Sequence, residues 1–377
     1  MKIAIVYDVP YPWHVGGIEA MHYNAAVELA KTHDVHFFTT KWPDMKDEFV
    51  HKGVHYHATH ETNQEKIYRN GRRSIKEAML FNSSVMKLFE HDFDVVITDY
   101  FPMLHLPLVK LYCRTRRAKL VIGVAEYWNA DYWRSYLGGP AWPMANAFSS
   151  SAIRGADIYV TISSTTKEKM VDAGIDEDKV RIFAPVIDRN DLSRALRKKN
   201  SYGKTAVFSG RMIKEKRLDK WLVAIKHANE KLACAKGIII GSGPEKSELV
   251  SLSKKLGLQN TVEFRDFYKD KKRFYDLLRR SSVLLNMSER EGLSIICLEA
   301  VALGIPVLLP SYSPIPVEVK EMCVVKDEKD ISDWIIKIMQ TKNPGSFVKN
   351  KNNLKKYFVS ETNAFYSKLF RDIKAGN

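Results

Sequence analysis

The sequence predicts a two-domain α/β protein, and three observations lead to that class. Short apolar strands such as Ile3–Tyr7 alternate with amphipathic helices such as Ile18–Lys31, and the pattern occurs twice. Continuous apolar strands separated by helices form parallel sheets covered on both faces. A polar, basic stretch, Arg189–Lys204, separates the two sets of strands and is the predicted linker. The length of 377 residues suits two domains of the usual ~100–200 residues.

Residues 1–190 are predicted to form the first domain, because strands and helices alternate throughout this half. Its later strands are predicted at Val35–Thr40, Val95–Thr98, Leu120–Val124 and Ile158–Ile162. Its later helices are predicted near Ser74–Glu90 and Thr166–Ala173. The pattern is that of a Rossmann-like domain, in which ligands bind beyond the carboxyl ends of the strands.

Residues 191–356 are predicted to form the second Rossmann-like domain. Its strands are predicted at Thr205–Ser209, Gly237–Ile240, Thr261–Phe264, Val283–Asn286 and Pro306–Leu309. Its helices are predicted at Leu218–Lys231, Glu245–Leu256, Lys271–Arg279 and Ser294–Leu303. An amphipathic helix at Tyr357–Lys374 follows, and we expect the segment 357–377 to pack back on the first domain. The site is expected in a central cleft that both domains face.

Composition places the protein among soluble globular proteins. Hydrophobic residues make up 45% and charged residues 27% of the chain, which excludes a disordered or coiled-coil protein. No apolar run reaches the ~18 residues of a membrane span, and the amino-terminal apolar stretch is too short for a signal peptide. The four cysteines are scattered, so neither a disulfide framework nor a zinc site is indicated. A cytoplasmic location is expected.

The net charge of +15 lies entirely in the second half of the chain. Residues 1–190 carry 23 basic and 23 acidic side chains, so they contribute no net charge. A basic domain favours an anionic partner, either phosphates, nucleic acid or an acidic bilayer surface. A solvated, lysine-rich surface explains the charge equally well. Nucleic acid is disfavoured, because no known binding motif appears and aromatic residues do not alternate with the basic ones.

Two glycine-containing segments follow predicted strands. Gly16 and Gly17 open the first helix, where backbone amides can approach a phosphate closely, although a Gly-Gly pair is more often a tight turn. Gly241 and Gly243, in the sequence Gly-Ser-Gly-Pro, follow the predicted apolar strand Gly237–Ile240 and can line a phosphate or a base.

Two charged segments also follow predicted strands. Arg211 and Lys216 come after Thr205–Ser209 and can neutralise a diphosphate, although isolated solvated cations would give the same pattern. Glu291 and Glu299 flank Gly292, Leu293 and Ser294 after another strand, and Ser294 is the predicted N-cap of the helix that follows. The loop carboxylate could hold sugar hydroxyls and the helical one ribose hydroxyls, or Glu299 could simply pair with the helix dipole.

These segments together resemble the GT-B glycosyltransferases, specifically family 4, the retaining nucleotide-sugar transferases. The likeness includes the Gly16–Glu19 segment, Arg211 with Lys216, the Gly241–Pro244 turn, and Glu291 through Gly304. The stretch Gly155–Ser163 resembles the family's segment before the linker. The order is that of the family over most of the chain.

The resemblance implies a fold, a donor and site residues. The second domain would bind a UDP- or GDP-sugar, with Arg211 and Lys216 on the diphosphate, Glu291 and the Gly292–Ser294 amides at the sugar, and Glu299 at the ribose. The first domain would bind the acceptor. The leaving phosphate would assist front-face attack, and neither a cofactor nor a metal would be required.

The resemblance is incomplete near the acceptor. Many relatives carry a histidine after the strand equivalent to Leu120–Val124, where this chain has Glu126 nearest that position. Where relatives have Asn-Gly-Val-Asp before the linker, this chain has Pro185–Asp188. The aromatic segment Tyr127–Trp142, which includes Trp128, could contact the acceptor or a lipid, or could simply form core.

The sequence therefore predicts a hexosyltransferase of glycan biosynthesis that acts on a glycan or lipid-linked acceptor. A nucleotide-sugar epimerase on the same fold is the alternative, and a basic nucleic-acid-binding protein is a less favoured one. The basic, aromatic stretch Arg265–Arg280 predicts peripheral attachment to an anionic membrane surface, at the inner face of the membrane. Packing of its apolar side against the sheet is an equally good explanation.

Overall fold

The computed structural model describes residues 1–14, 16–69, 72–197, 199–268 and 270–375. Lys198 of the predicted linker, Lys269 of the basic stretch and residues 376–377 of the predicted tail lie outside the described residues. The chain divides into two compact units, Met1–Val186 with Lys356–Asn377, and Ile187–Lys355. The predicted α/β class with two parallel sheets is confirmed.

The first unit contains an eight-stranded sheet and a small hairpin. The strands are β1 (Lys2–Val6), β2 (Asp34–Lys41), β3 (Glu48–His51), β4 (Val54–Glu61), β5 (Tyr68–Arg69), β6 (Arg72–Arg73), β7 (Val95–Asp99), β8 (Lys119–Val124), β9 (Ile158–Thr161) and β10 (Val180–Ile182). The sheet order is β10-β9-β8-β7-β1-β2-β4-β3, and β5 pairs with β6. All pairs in the large sheet are parallel except β3 with β4.

The helices of the first unit cover both faces of this sheet. They are α1 (Gly17–Leu29), α2 (Gln64–Ile67), α3 (Ile75–Leu80), α4 (Asn82–Met86), α5 (Leu106–Arg116), α6 (Ala130–Leu137), α7 (Trp142–Ile153) and α8 (Ser164–Asp172). The helical stretch predicted around Ser74–Glu90 is confirmed, and it is divided into α3, α4 and a 3-10 turn at Lys87–Glu90. Strands β3 and β4 were not predicted, because their many histidines hide the apolar alternation.

The second unit contains a six-stranded parallel sheet. The strands are β11 (Gly203–Ser209), β12 (Lys236–Ile240), β13 (Val262–Arg265), β14 (Ser281–Leu285), β15 (Val307–Pro310) and β16 (Val324–Lys326). Their order, β13-β12-β11-β14-β15-β16, is the 3-2-1-4-5-6 order of dinucleotide-binding sheets. The helices are α9 (Arg189–Leu196), α10 (Leu218–Lys231), α11 (Lys246–Lys255), α12 (Lys271–Leu278), α13 (Ile295–Leu303), α14 (Val317–Lys320) and α15 (Ile331–Gln340).

The predicted linker is partly wrong, because α9 occupies the first half of Arg189–Lys204. This segment is amphipathic as well as basic: Leu192 and Ala195 are buried. Their spacing of three residues places both on one helix face. The charged residues around Leu192 and Ala195 obscure this apolar face in the sequence.

The last helix, α16 (Thr362–Ala375), packs in the first unit. Tyr366, Leu369 and Phe370 join the apolar cluster formed by α1 and one face of β1. The Asn363 side-chain amide also donates to the Glu28 carbonyl at 2.9 Å. Among the described residues, no helix is both long and apolar enough to cross a bilayer.

Alternation along β1 shows how the first sheet is buried. Ile3 and Ile5 point into the cluster with α1 and α16, whereas Ala4 and Val6 point into the cluster with α5. Successive strand residues face opposite sides of a sheet, so an entirely apolar strand needs helices on both sides. In each sheet the strand order reverses beside the first strand, between β1 and β7 and between β11 and β14. Ligands of such sheets bind at this reversal, beyond the carboxyl ends.

Candidate functional site

A lysine–glutamate pair lies at the strand-order reversal of the second unit. Lys216 belongs to the 3-10 turn Lys214–Lys216, which follows β11, and Glu291 belongs to the loop after β14. The Lys216 Nζ atom lies 2.5 Å from Glu291 Oε1. The two side chains are only 15% and 16% exposed, so little water screens the pair. The structure thus brings together two of the three residues predicted to be catalytic.

Further contacts hold the two loops together. The Glu289 amide donates to the Glu215 carbonyl at 2.9 Å, and Arg290 pairs with the Glu215 carboxylate at 3.3 Å. Arg217 pairs with both Glu289 and Asp219. These positioning residues were not predicted from the sequence, although side chains of opposite charge follow both β11 and β14 and indicated that the two loops could pair. The pairs fix where Lys216 and Glu291 meet.

Arg211 lies at the same edge, two residues beyond the last residue of β11. Its side chain is exposed. The neighbouring Met212 is fully buried, and its amide donates to the Ser242 carbonyl at 2.8 Å. The backbone that carries Arg211 is therefore held against the Gly241–Gly243 turn, while Arg211 itself is exposed.

Gly241 and Gly243 allow the turn after β12 to pack tightly against the loop after β11. Both have positive φ, +142° and +157°. A Cβ at Gly241 would lie 2.0 Å from the Gly210 carbonyl oxygen, and one at Gly243 would lie 2.3 Å from the Met212 carbonyl oxygen. The structure therefore gives both glycines a packing function, and their predicted contact with the donor stays a prediction.

Gly243→Ala is expected to weaken donor binding at least about tenfold, because the added methyl must push the Met212 backbone and its neighbour Arg211 outward. Gly257→Ala is the matched control: Gly257 also has positive φ, +75°, but a Cβ there would meet nothing within 4 Å. Titration of the nucleotide with each variant checks this. Equal nucleotide affinity in the two variants would contradict it.

The segment between Glu291 and Glu299 forms a loop followed by α13. Ser294 stands at the predicted N-cap position, with a left-handed φ of 62°, but its side chain does not make the capping hydrogen bond expected there. The hydroxyl instead contacts the Cys297 Sγ at 3.1 Å and accepts from Asn286 at 3.2 Å. Asn286, the residue after β14, thereby holds the loop through its side-chain hydrogen bond to Ser294.

The other residues of this segment differ in exposure. Leu293 is 3% exposed and Ser294 is buried, whereas Gly292 is half-buried. The amino terminus of α13 follows directly, and a helix amino terminus favours negative charge. Gly292, which follows Glu291 directly, therefore lies where an anion or a sugar oxygen would be stabilised.

Glu299 is buried inside the second unit. The Tyr275 hydroxyl on α12 donates to Glu299 Oε1 at 2.8 Å, and the Lys271 Nζ lies 3.8 Å from the same oxygen. Burial raises the pKa of the Glu299 carboxyl, and the nearby Lys271 and Tyr275 only partly offset this. The carboxylate thus has protein partners already, and its predicted contact with a ribose would have to form beside Tyr275.

Gly16 and Gly17 lie where the sequence predicts, at the start of α1. Gly16 is the N-cap residue in extended conformation, and Gly17 is the first helical residue. The Glu19 carboxylate folds back over this end, so that a Cβ at Gly16 would lie 2.1 Å from Glu19 Oε2. His14 Nδ1 approaches the same carboxylate at 3.4 Å. In this arrangement an acidic side chain occupies the space predicted for a phosphate.

Two buried pairs of ionisable side chains at the reversal of the first sheet were not predicted from the sequence. Asp8, just after β1, pairs with Arg73 of β6. Asp99, the last residue of β7, accepts from His22 Nε2 of α1 at 3.1 Å, and both side chains are 5% exposed. Within the described residues, Asp8 Oδ1 is buried without a hydrogen-bond partner. The positions of Asp8 and Asp99 directly at strand ends were the available signal.

Glu126 and Trp128 follow β8 of the first unit. Trp128 is 8% exposed and packs against Phe101 and Tyr132, with ring centroids 4.4 and 4.0 Å away. Its indole Nε1 donates weakly to Glu126 Oε2 at 3.4 Å. Trp128 thus belongs mainly to the aromatic core, whereas Glu126 is half-buried. A contact of either residue with an acceptor stays a prediction.

Two sequence families match successive parts of the chain. The family described as "Glycosyltransferase Family 4" matches residues 15–191, and "Glycosyl transferases group 1" matches residues 190–357. The two matches meet at the boundary between the halves of the chain, so each half corresponds to one of the two families.

Characterised relatives are distant. The O-antigen biosynthesis glycosyltransferase WclY of Escherichia coli is 24% identical over 327 residues, which cover 80% of this chain and 86% of WclY. The N-acetyl-alpha-D-glucosaminyl L-malate synthase of Bacillus anthracis is 26% identical over 154 residues. That match spans 38% of this chain and only 40% of the synthase.

Solved structures share the whole fold. Sucrose-phosphate synthase from Thermosynechococcus elongatus superposes with a TM-score of 0.72 at 14% identity, with 100% of both chains covered. The Anabaena protein HepE in complex with UDP and glucose superposes with a TM-score of 0.69 at 14% identity, covering 99% of this chain and 100% of HepE. The two consecutive family matches, with this fold, show that the chain belongs to the GT-B glycosyltransferases of the family 4 type and is a transferase enzyme.

Proposed function

We propose that this enzyme is a retaining hexosyltransferase that uses a UDP- or GDP-sugar and glycosylates a glycan or lipid-linked acceptor. The observation that carries the proposal is the Lys216–Glu291 pair at the strand-order reversal of the second sheet. A 3-2-1-4-5-6 sheet binds nucleotides at this reversal. HepE, of similar fold, was solved with UDP and glucose, and WclY takes part in O-antigen biosynthesis, which supports a nucleotide-sugar donor and a glycan acceptor.

The charged groups of the second unit suit the two ends of such a donor. Lys216 and the exposed Arg211 supply positive charge for the diphosphate, whose negative charge increases as the bond to the sugar breaks. Glu291, held by Lys216, can accept hydrogen bonds from sugar hydroxyls, and the Gly292–Ser294 segment offers backbone amides. When the donor binds, Lys216 can keep its contact with Glu291 and also donate to a phosphate oxygen, since a flexible ammonium carries three donors.

The anomeric configuration is retained when the acceptor attacks the anomeric carbon on the same face from which the leaving group departs. In that step the acceptor hydroxyl forms a bond to the anomeric carbon, the carbon–oxygen bond to the diphosphate breaks, and the hydroxyl proton passes to the leaving phosphate oxygen. Because the leaving phosphate oxygen takes this proton, no separate general base is needed from the protein, and the cationic side chains stabilise the departing diphosphate. The acceptor side would lie at the strand ends of the first unit, where Asp8 and Asp99 supply buried carboxylates.

The stereochemical outcome tests the proposed function. Proton NMR of the product formed from an α-linked donor is expected to show an α-linked glycoside from the first turnover. A β-linked first product would contradict retention. Incubation with donor alone is expected to give at most slow hydrolysis, whereas accumulation of an epimerised donor would indicate the epimerase instead.

Turnover is expected to persist in excess EDTA. The motivation is that no Asp-x-Asp pair follows a predicted strand in this sequence, and that cationic side chains can serve the diphosphate instead. Initial rates with and without EDTA, measured well below the melting temperature, check this. A rate that falls with chelation and returns with Mn²⁺ or Mg²⁺ would contradict the metal-independent mechanism.

Attachment to the inner face of an anionic membrane is the other part of the proposal. In the basic stretch, Arg279 is 4% exposed and donates to Asn200, and Tyr275 and Leu278 are buried. Much of this segment is therefore structural. The groups left for a membrane are exposed ones: Phe267, Lys272, Arg273 and Arg280.

Liposome sedimentation tests this surface. Cosedimentation with anionic vesicles at low salt is expected, and Lys272→Glu with Arg273→Glu should abolish it, since each basic residue near the surface contributes about 1 kcal/mol. The matched control is Lys254→Glu with Lys255→Glu, an exposed pair on α11 of the same unit. Recovery of the wild-type chain in the supernatant with anionic and neutral vesicles alike would show that this surface does not bind membranes.

A further inference from the structure

Histidines that are dispersed in the sequence come together in the first unit. His36 of β2, His57 of β4 and His91, which precedes β7, each place a ring nitrogen within 4.8 Å of those of the other two. His36 and His57 are 8% and 7% exposed, whereas His91 is half-buried. His36 lies near the amino end of β2 and His91 precedes β7, so the cluster is away from the carboxyl ends of the strands.

Carboxylates face the outer nitrogens of the two buried rings. His36 Nε2 lies 3.3 Å from Asp34 Oδ1, and His57 Nδ1 lies 3.6 Å from Glu48 Oε1. The inner nitrogens, His36 Nδ1 and His57 Nε2, face each other at 2.8 Å. The two rings are thus arranged in a row between two acidic side chains.

Within the described residues, the His57 Nδ1 atom is buried and has no hydrogen-bond partner, since its separation of 3.6 Å from Glu48 Oε1 is too long for a hydrogen bond. If both N–H groups point at the carboxylates, two lone pairs face each other at 2.8 Å.

A metal cation resolves this arrangement. We propose that His36, His57 and His91 form a transition-metal site that takes Zn²⁺ or an ion of similar preference, separate from the donor site. The inner lone pairs and His91 would be ligands, and the outer N–H groups of His36 and His57 would donate to Asp34 and Glu48. Metal-ligating histidines typically donate their other N–H to a carboxylate in this way.

The two inner nitrogens must move apart, and their rings must turn, before both lone pairs point at one ion. Tetrahedral Zn²⁺ with nitrogen ligands at ~2.0–2.1 Å holds those nitrogens about 3.3 Å apart, so the 2.8 Å contact must open by about 0.5 Å. Three imidazoles leave a fourth position for water, and the half-buried His91 provides the side from which an ion can enter. Imidazole ligands suit Zn²⁺, Cu²⁺ and Ni²⁺ rather than Mg²⁺ or Ca²⁺.

Calorimetric titration of Zn²⁺ into the chelator-treated, untagged full chain tests the proposal. One equivalent is expected to bind, with a rise in melting temperature. His57→Ala and His91→Ala are each expected to weaken binding at least about 100-fold, and Asp34→Asn about 10–100-fold through the lost contact with His36. His91 is half-buried, so its variant keeps the test usable should His57→Ala fail to fold.

Two histidines outside the cluster supply controls. His33→Ala in the first unit and His227→Ala in the second should bind Zn²⁺ as the wild type does. Absence of a stoichiometric Zn²⁺ site in the wild type would overturn the proposal. Equal affinity of His91→Ala and the wild type would overturn it as well, since binding would then occur elsewhere.

Discussion

Replacing Lys216 by alanine is expected to lower kcat/KM at least about 10²-fold, the range found when one electrostatic contact to a developing charge is removed. The reason is twofold. The diphosphate loses a cation, and Glu291 loses the ammonium that lies 2.5 Å from its Oε1 atom. Arg211→Ala is expected to have an effect of similar size through the diphosphate alone. Steady-state kinetics with varied donor concentration measure both.

Lys214→Ala is the matched control for this experiment. Lys214 is exposed and belongs to the same 3-10 turn as Lys216, so a general loss of positive charge would affect both variants. We expect near-wild-type kinetics for Lys214→Ala. If Lys216→Ala and Arg211→Ala both kept near-wild-type kinetics, the assigned role in diphosphate stabilisation would be wrong.

Arg73→Met is expected to destabilise the protein by about 3–5 kcal/mol, the cost of removing one partner of a buried ion pair. Arg73 pairs with Asp8, whose side chain is 5% exposed, and methionine keeps much of the apolar length. The carboxylate of Asp8 would remain buried without its cation. Urea unfolding monitored by circular dichroism measures the change.

The stability lost in Arg73→Met should depend on pH in a defined direction. Burial raises the pKa of Asp8 even with Arg73 present, and loss of Arg73 would raise it further. The folded variant would therefore hold a proton that the unfolded chain releases, so its stability falls as the pH rises through this range and recovers in acid. The double variant Asp8→Asn/Arg73→Met should regain part of the loss, whereas the control Lys76→Ala, at an exposed helix position, should change little. A pH-independent loss would contradict this account.

Much of the fold could be predicted from the sequence because its strands are apolar on both faces. Strands such as β1 and β14 show a continuous apolar run that only a covered parallel sheet explains. Strands β3 and β4 lie at an edge and carry histidines, so the signal was absent there. Helix α9 was hidden for a related reason, since its buried residues are few among basic ones.

The sequence could indicate only those site residues that lie shortly after the end of a strand. Lys216 and Glu291 could be identified because each follows a buried strand, and parallel strands bring such ends together. Sequence separation concealed the other groupings: Arg73 reaches Asp8 from a hairpin, and the fold brings His91, in the loop before β7, to His36 on β2 and His57 on β4. The capping hydrogen bond expected at Ser294 is not made, because its hydroxyl is engaged by Asn286 and Cys297 instead of the helix backbone.

Nucleotide binding tests the central claim most directly. Thermal unfolding of the full chain should be measured with UDP, GDP, their hexose conjugates, and free hexose as a control. A ligand at 100 times its dissociation constant stabilises the folded state by about 2.7 kcal/mol, so one of the two nucleotide series is expected to raise the melting temperature clearly. The rise should be reduced in Lys216→Ala and retained in Lys214→Ala. No shift with either nucleotide series at millimolar concentration would contradict the assignment of this protein as a UDP- or GDP-sugar transferase.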